Sequence, residues 1–227
     1  MTETRISSTR QRLKSPRAAA IAGILFAVLY GLSLVLIRIS IPSDTVVENT
    51  AWLATNLRVV TLALNLVPYA GIAFLWFIGV IRDRLGEQED RLFATVFLGS
   101  GLLFLTLTFI GAALAAGLIS SYTIKQDILI QSGVFTYGRE VMFQVINVYA
   151  IRMAGVFMIS LGTIWLRTGL MHRGWAFVTY TLALVLLLSI GYSLWVTMIF
   201  PVWVLAVSIY ILILNFRNQS QAALNEI

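Results

Sequence analysis

The side chain with the most chemical leverage in this 227-residue chain is Arg152, set among Ala150, Ile151, Met153 and Ala154. A guanidinium in apolar surroundings calls for an anion, whether a carboxylate, a phosphate or a lipid headgroup. At roughly 100° per residue, Tyr149, Arg152, Val156, Ser160 and Thr163 share one helix face. Arg58, Asn65, Tyr69 and Trp76 share a face of another helix. Two readings follow. In one, the stripes face each other, and Arg58, Asn65, Tyr69, Tyr149 and Arg152 line an outward-opening cavity for an anionic or amphipathic ligand such as a lipid. In the other, Arg38, Arg58, Arg139 and Arg152 are neutralised by Asp44, Glu48, Asp127 and Glu140.

Other chemistry has few footholds. His172 is the only histidine and cysteine is absent, so one chain offers no bis-histidine haem and no zinc or iron site. Lysine occurs only at Lys14 and Lys125, which leaves no mid-membrane Schiff-base lysine. Neither a G-x-x-x-x-G-K-[ST] phosphate loop nor a G-x-S-x-G nucleophile elbow occurs. No cofactor, metal or catalytic residue is expected, and enzymatic action would have to come from acidic residues on loops.

The elements that position these residues are read from composition. Hydrophobic residues make up 59% of the chain and charged ones 11%, against about 25% charged in soluble domains. A soluble fold of this size has too little interior for so much apolar surface. The chain reads instead as an all-α, polytopic integral membrane protein with six transmembrane helices in one bundle. The spans are placed at 18–37, 59–81, 92–119, 145–166, 175–191 and 194–214, within a transmembrane domain of 17–216. The uncharged run from 175 to 214 is too long for one span, and Gly191-Tyr192-Ser193 suits a turn within it. Arg152 forces the fourth span to run back through it, because 153–166 is too short to cross. A start at Asn147 puts it roughly 8 Å below the boundary, and a start near Arg139 roughly 20 Å below.

Lys and Arg placement sets the orientation. Arg5, Arg10, Arg12, Lys14 and Arg17 precede the first span, and Arg82, Arg84, Arg91, Arg167, Arg173 and Arg217 mark the same side after six crossings. Both termini are therefore expected in the cytoplasm, with the protein in the plasma membrane. Residues 1–16 read as a disordered basic arm and 217–227 as a short tail; the +6 net charge reflects orientation and not nucleic-acid binding. The longest connection, 120–144, is expected to rest on the bilayer as a short interfacial helix or hairpin, or to fold over the bundle mouth. Ala19, Gly23, Ala27 and Gly31, and Gly111 with Ala115, form small-residue faces for close packing within the chain or in a dimer. Trp165, Trp175, Trp195 and Trp203 fit interfacial belts or bundle packing. Pro68 and Pro201 are expected to kink their spans.

Three stretches carry a resemblance: 17–31, a basic edge followed by an Ala/Gly-rich span; 169–175, GLMHRGW; and 200–210, FPVWVLAVSIY. Together they resemble a family of bacterial six-pass membrane proteins of unknown function. That resemblance implies a six-helix fold and a bacterial plasma membrane, and supplies no catalytic residues. The expected role is a non-enzymatic, small transporter-like or lipid-binding bundle, with membrane lipids as partners. The alternative is an accessory subunit in a homo-oligomer or larger membrane complex, and a third reading is an enzyme acting on lipid at the outer surface.

Overall fold

The computed structural model describes residues 2–40, 51–85, 91–124, 131–169, 171–189 and 194–224, with side chains in 17–40, 56–82, 92–124, 131–169, 171–189 and 195–217. Its α-helices are α1 (Thr2–Ser40), α2 (Ala51–Leu85), α3 (Arg91–Ile124), α4 (Val134–Gln144), α5 (Ile151–Thr168), α6 (Arg173–Leu188) and α7 (Ile199–Leu224). A π-helical segment, Val145–Ala150, joins α4 to α5 without a break, and a 3-10 turn, Leu194–Met198, leads into α7. No strand occurs among the described residues.

Five stretches are long and apolar enough to cross a bilayer: Arg17–Ser40, Asn56–Arg82, Leu92–Ile124, Val134–Thr168 and Trp195–Arg217. The span expected over 175–191 is instead the 16-residue α6, which at 1.5 Å per residue rises about 24 Å against about 30 Å of hydrocarbon. Among the described residues the chain thus has five membrane-length helices and one shorter apolar helix at the place of the expected fifth span. The turn expected at 191–193 lies outside the described residues.

Local chemistry explains several boundaries. Gly169 adopts a left-handed conformation (φ 64°) at the end of α5, where a side chain would be strained. His172 then caps α6, its Nδ1 accepting the Gly174 N–H at 3.1 Å. The GLMHRGW stretch is thus a helix stop followed by a helix start. Pro201 lies in the first turn of α7, directly after the 3-10 turn Leu194–Met198, where its missing N–H is tolerated. Pro68 remains inside α2. The basic arm is also helical, since α1 begins at Thr2, where a disordered segment was expected.

The apolar stretch of α1 begins where that of α7 ends. Arg17 at the membrane start of α1 sits 5.2 Å from the Phe216 ring of α7, and Arg167 at the end of α5 lies 4.6 Å from the Phe93 ring of α3. Arg17, Arg82, Arg167, Arg173 and Arg217 consequently mark a common basic end. The α1–α2 hairpin is tied at membrane depth by Ser33 Oγ, which donates to the Ala63 carbonyl at 2.8 Å.

Each of the five long helices sends two rings into a common core: Phe26 and Tyr30, Phe74 and Phe77, Phe97 and Phe104, Phe157 and Trp165, Phe200 and Trp203. Within each helix the two lie three, four, seven or eight residues apart, the spacings that share a face. Phe104 and Phe200 have centroids 4.6 Å apart, as do Phe97 and Phe157, and Phe26 and Phe74 are 4.7 Å apart. Edge-to-face and offset pairs of this kind contribute about 0.5–1.5 kcal/mol each beyond their burial. In lipid, where helix association depends on packing more than on water exclusion, this ring cluster is the main adhesive of the fold.

Small residues bring the helices close enough for those rings to meet. A Cβ on Gly23 would overlap Ser208 Oγ of α7 and approach Phe77 of α2 at 2.8 Å. Ala19 and Ala27 are buried on the same face of α1, so this small-residue stripe serves packing within the chain. On α5, a Cβ on Gly155 would lie 3.1 Å from the Ala183 carbonyl and one on Gly162 3.3 Å from Thr179, which seats α6 against α5.

α2, α3 and the continuous α4–α5 helix run 34 or 35 residues each, about 50 Å and well beyond the hydrocarbon thickness. Measured from the basic end, their excess projects at the opposite end. There Tyr122 of α3 forms a second apolar cluster with Leu57, Ile119 and Phe135. Most of the expected 120–144 loop is therefore helix: α3 continues to Ile124, and α4 runs on through the π-helical segment into α5. Residues 125–130 lie outside the described residues.

Candidate functional site

The two polar stripes do not wall one interior cavity. Arg58, Asn65, Tyr69 and Trp76 are all exposed on the outside of α2, Tyr69 at 64% and Trp76 at 66%. The opposite face of α2, including Ala63, Val67, Phe74, Phe77 and Ile81, is buried. Where α2 meets α5 it does so through rings, Phe74 and Phe157 at 5.4 Å. The physical reason is competition for one interior: the aromatic face of α2 fills it, and the polar face opposite is left on the perimeter.

The α5 stripe divides in two. Toward the basic end its hydroxyls are occupied: Ser160 Oγ donates to the Val156 carbonyl at 2.9 Å, and Thr163 Oγ1 to the Ile159 carbonyl at 2.9 Å. With that proton committed, the Tyr180 hydroxyl is the donor in its 2.8 Å contact with Thr163. The Trp203 indole N–H donates to Thr179 Oγ1 at 3.0 Å in the buried interior. Ser160, Thr163, Thr179 and Tyr180 are thus structural, and the last three pin α6 to its neighbours.

Toward the opposite end, Tyr149 is 58% exposed and Arg152 is partly buried. Neither forms a hydrogen bond or ion pair among the described residues, whereas Arg139 pairs with Glu140 at 3.4 Å. Of the four acids expected to neutralise the arginines, only Glu140 has a described side chain; Asp44, Glu48 and Asp127 lie outside the described residues.

Tyr149 lies in the π-helical segment and Arg152 two residues past its end, and such segments are frequent at functional sites. The Ile151 N–H reaches back five residues to the Ile146 carbonyl. Two contacts hold the wide turn. Ile146 fills the space a side chain on Gly111 of α3 would occupy, and Asn147 Nδ2 donates to the Phe143 carbonyl at 3.1 Å. No periodicity in the sequence announces this segment; the pairing of a bare Gly111 with a polar Asn147 amid apolar residues is its only trace. The ring cluster was legible in principle, from aromatic residues spaced three, four or seven apart.

No group of three or more metal-ligating side chains occurs among the described residues. His172, the lone imidazole, is occupied as a helix cap. Compared with protein-family models, curated proteins and solved structures, the chain matches none.

Proposed function

We propose that this is a non-enzymatic integral membrane protein of six crossings, with α6 completing the sixth, that recognises amphipathic lipid on its perimeter. The basic end faces the cytoplasm by the positive-inside rule, and the family resemblance points to a bacterial plasma membrane. One observation carries the functional reading. The interior is filled by rings, while Arg58, Asn65, Tyr69 and Tyr149 stand on the outside of helices at or near membrane depth. Polar side chains in such positions are costly unless something polar meets them, so recognition belongs on the perimeter and a path along the axis has no support. Purification in mild detergent followed by native mass spectrometry tests this: retained lipid is expected, and a bare monomer defeats it.

A second reading, an accessory subunit of a larger assembly, rests on α3. Only 22% of its most apolar window is buried, against 39% to 50% in the other four long helices. Copurifying protein chains in the same experiment would favour it. Because the chain has no cysteine, single introduced cysteines map topology cleanly. His172→Cys and Ser189→Cys are expected to react with impermeant maleimide from opposite sides if α6 crosses.

A further inference from the structure

We infer that Arg152 and Tyr149, at the π-helical segment, form a binding site for a phosphate-bearing anionic group, supplied by a lipid headgroup in the leaflet away from the basic end. The inference rests on the perimeter lipid recognition proposed above and narrows it to one site and one headgroup class.

Depth is the first support. Arg152 lies 15 residues before Arg167 on the regular helix α5, a rise of about 22 Å. With Arg167 at one face of about 30 Å of hydrocarbon, the Arg152 backbone is about 8 Å below the other face. An extended arginine side chain spans nearly that distance, enough to bring its guanidinium to the edge of the hydrocarbon, just under the headgroup region. Tyr149 is three residues nearer that face and exposed.

Charge and hydrogen bonding supply the second. Glu140, the one acid with a described side chain, is bound to Arg139 and lies 12 residues further along, about 18 Å away. A guanidinium offers five N–H donors and a phenol one more, with no competing acceptor charge beside them among the described residues. That set matches phosphate oxygens, which arginine takes two at a time.

The π-helical segment supplies the third. One inserted residue turns α5 by roughly 100° relative to α4, which fixes the direction in which Arg152 leaves the helix. Gly111 and Asn147 hold that register from two sides, so the pair stands on a fixed element.

The test compares wild type with R152Q, R152K, Y149F, R58Q and R139Q in micelles holding equimolar phosphatidylglycerol and phosphatidylcholine, with retained lipid read by native mass spectrometry. Wild type is expected to prefer phosphatidylglycerol. The preference should fall about tenfold in R152Q, the size expected for a lost charge-assisted pair, and less in R152K and Y149F. R139Q should match wild type. If millimolar inorganic phosphate abolishes the preference, the same site takes a soluble phosphate; if not, the headgroup of a lipid is the ligand. Should R152Q fail to fold, R152K and Y149F carry the comparison. A preference untouched by R152K, R152Q and Y149F but lost in R58Q overturns this site and leaves perimeter recognition standing. No preference in wild type overturns both. A D44N/E48Q/D127N variant whose loss of stability disappears in R152Q would show a carboxylate partner and also overturn the site.

Discussion

Replacing Gly23 by alanine adds one methyl group where α1 meets α7 and α2. That methyl would overlap Ser208 Oγ and come within 2.8 Å and 2.9 Å of two Phe77 ring atoms. Ser208 and Phe77 are both fully buried, and Phe77 is held against Phe74, so the ring has little freedom to withdraw. Overpacking of this kind costs about 1–3 kcal/mol. In a soluble helix, glycine-to-alanine would return about 0.8–1.0 kcal/mol of helix propensity. In a membrane that return vanishes, because α1 stays helical when the bundle comes apart. The expected net loss is therefore about 1–3 kcal/mol. Denaturation of detergent-solubilised protein, followed through tryptophan fluorescence of buried Trp165 and Trp203, measures it. Ser208→Gly in the same chain should recover about 1 kcal/mol by removing the hydroxyl, a coupling visible in a double-mutant cycle. Ser208→Ala alone should be neutral or slightly stabilising, since that hydroxyl is buried without a partner among the described residues. A Gly23→Ala protein as stable as wild type, with no coupling to position 208, would refute the packing argument.

Phe74→Ala should be among the most damaging core changes, about 3 kcal/mol, because Phe74 touches Phe26, Phe77, Phe104, Phe157 and Phe200; the same denaturation measures it, and a loss below that of Gly23→Ala would contradict its central place. Thr179→Val strands the Trp203 indole N–H in an apolar interior and should cost about 1–2 kcal/mol, whereas Thr179→Ser keeps the acceptor and should cost less. His172→Ala removes the cap on α6, and hydrogen exchange at the Gly174 amide should quicken about fivefold, equivalent to about 1 kcal/mol, while His172→Asn should largely preserve protection.

Legibility differed by element. Apolar runs bounded by arginines located α1, α2, α3, α5 and α7, because a helix in lipid must satisfy its backbone internally and needs a set length of apolar residues. The ends were harder. Charge and polarity around Lys125 and Arg139 suggested a loop, but Leu57, Ile119, Tyr122 and Phe135 form their own small core, which keeps α3 and α4 helical beyond membrane length. The uncharged run from 175 to 214 suggested two spans with the shorter one first, and that first stretch is the 16-residue α6, stapled to α5 and α7 by hydrogen bonds from Tyr180 and to Thr179.

The candidate site shows the sharper division. Residue type and helical period were enough to group Arg58, Asn65, Tyr69 and Trp76 on one face, and Tyr149 with Arg152 on another, because the 3.6-residue repeat is a property of the chain alone. Which way each face turns is a contest between faces. On α2 the aromatic side won the interior and sent the polar side outward; on α5, Ser160 and Thr163 were drawn inward to local and α6 partners, which separated them from Arg152. The sequence by itself determined that this chain carries helices apolar enough for a membrane, which end is basic, and that Arg152 lies within an apolar run. Only the tertiary structure decided that the core is filled by rings, that the α2 stripe lies on the perimeter while the α5 stripe divides, and that Tyr149 and Arg152 stand at a π-helical turn. Packing of rings and glycines from distant segments sets those outcomes, and no local pattern encodes it.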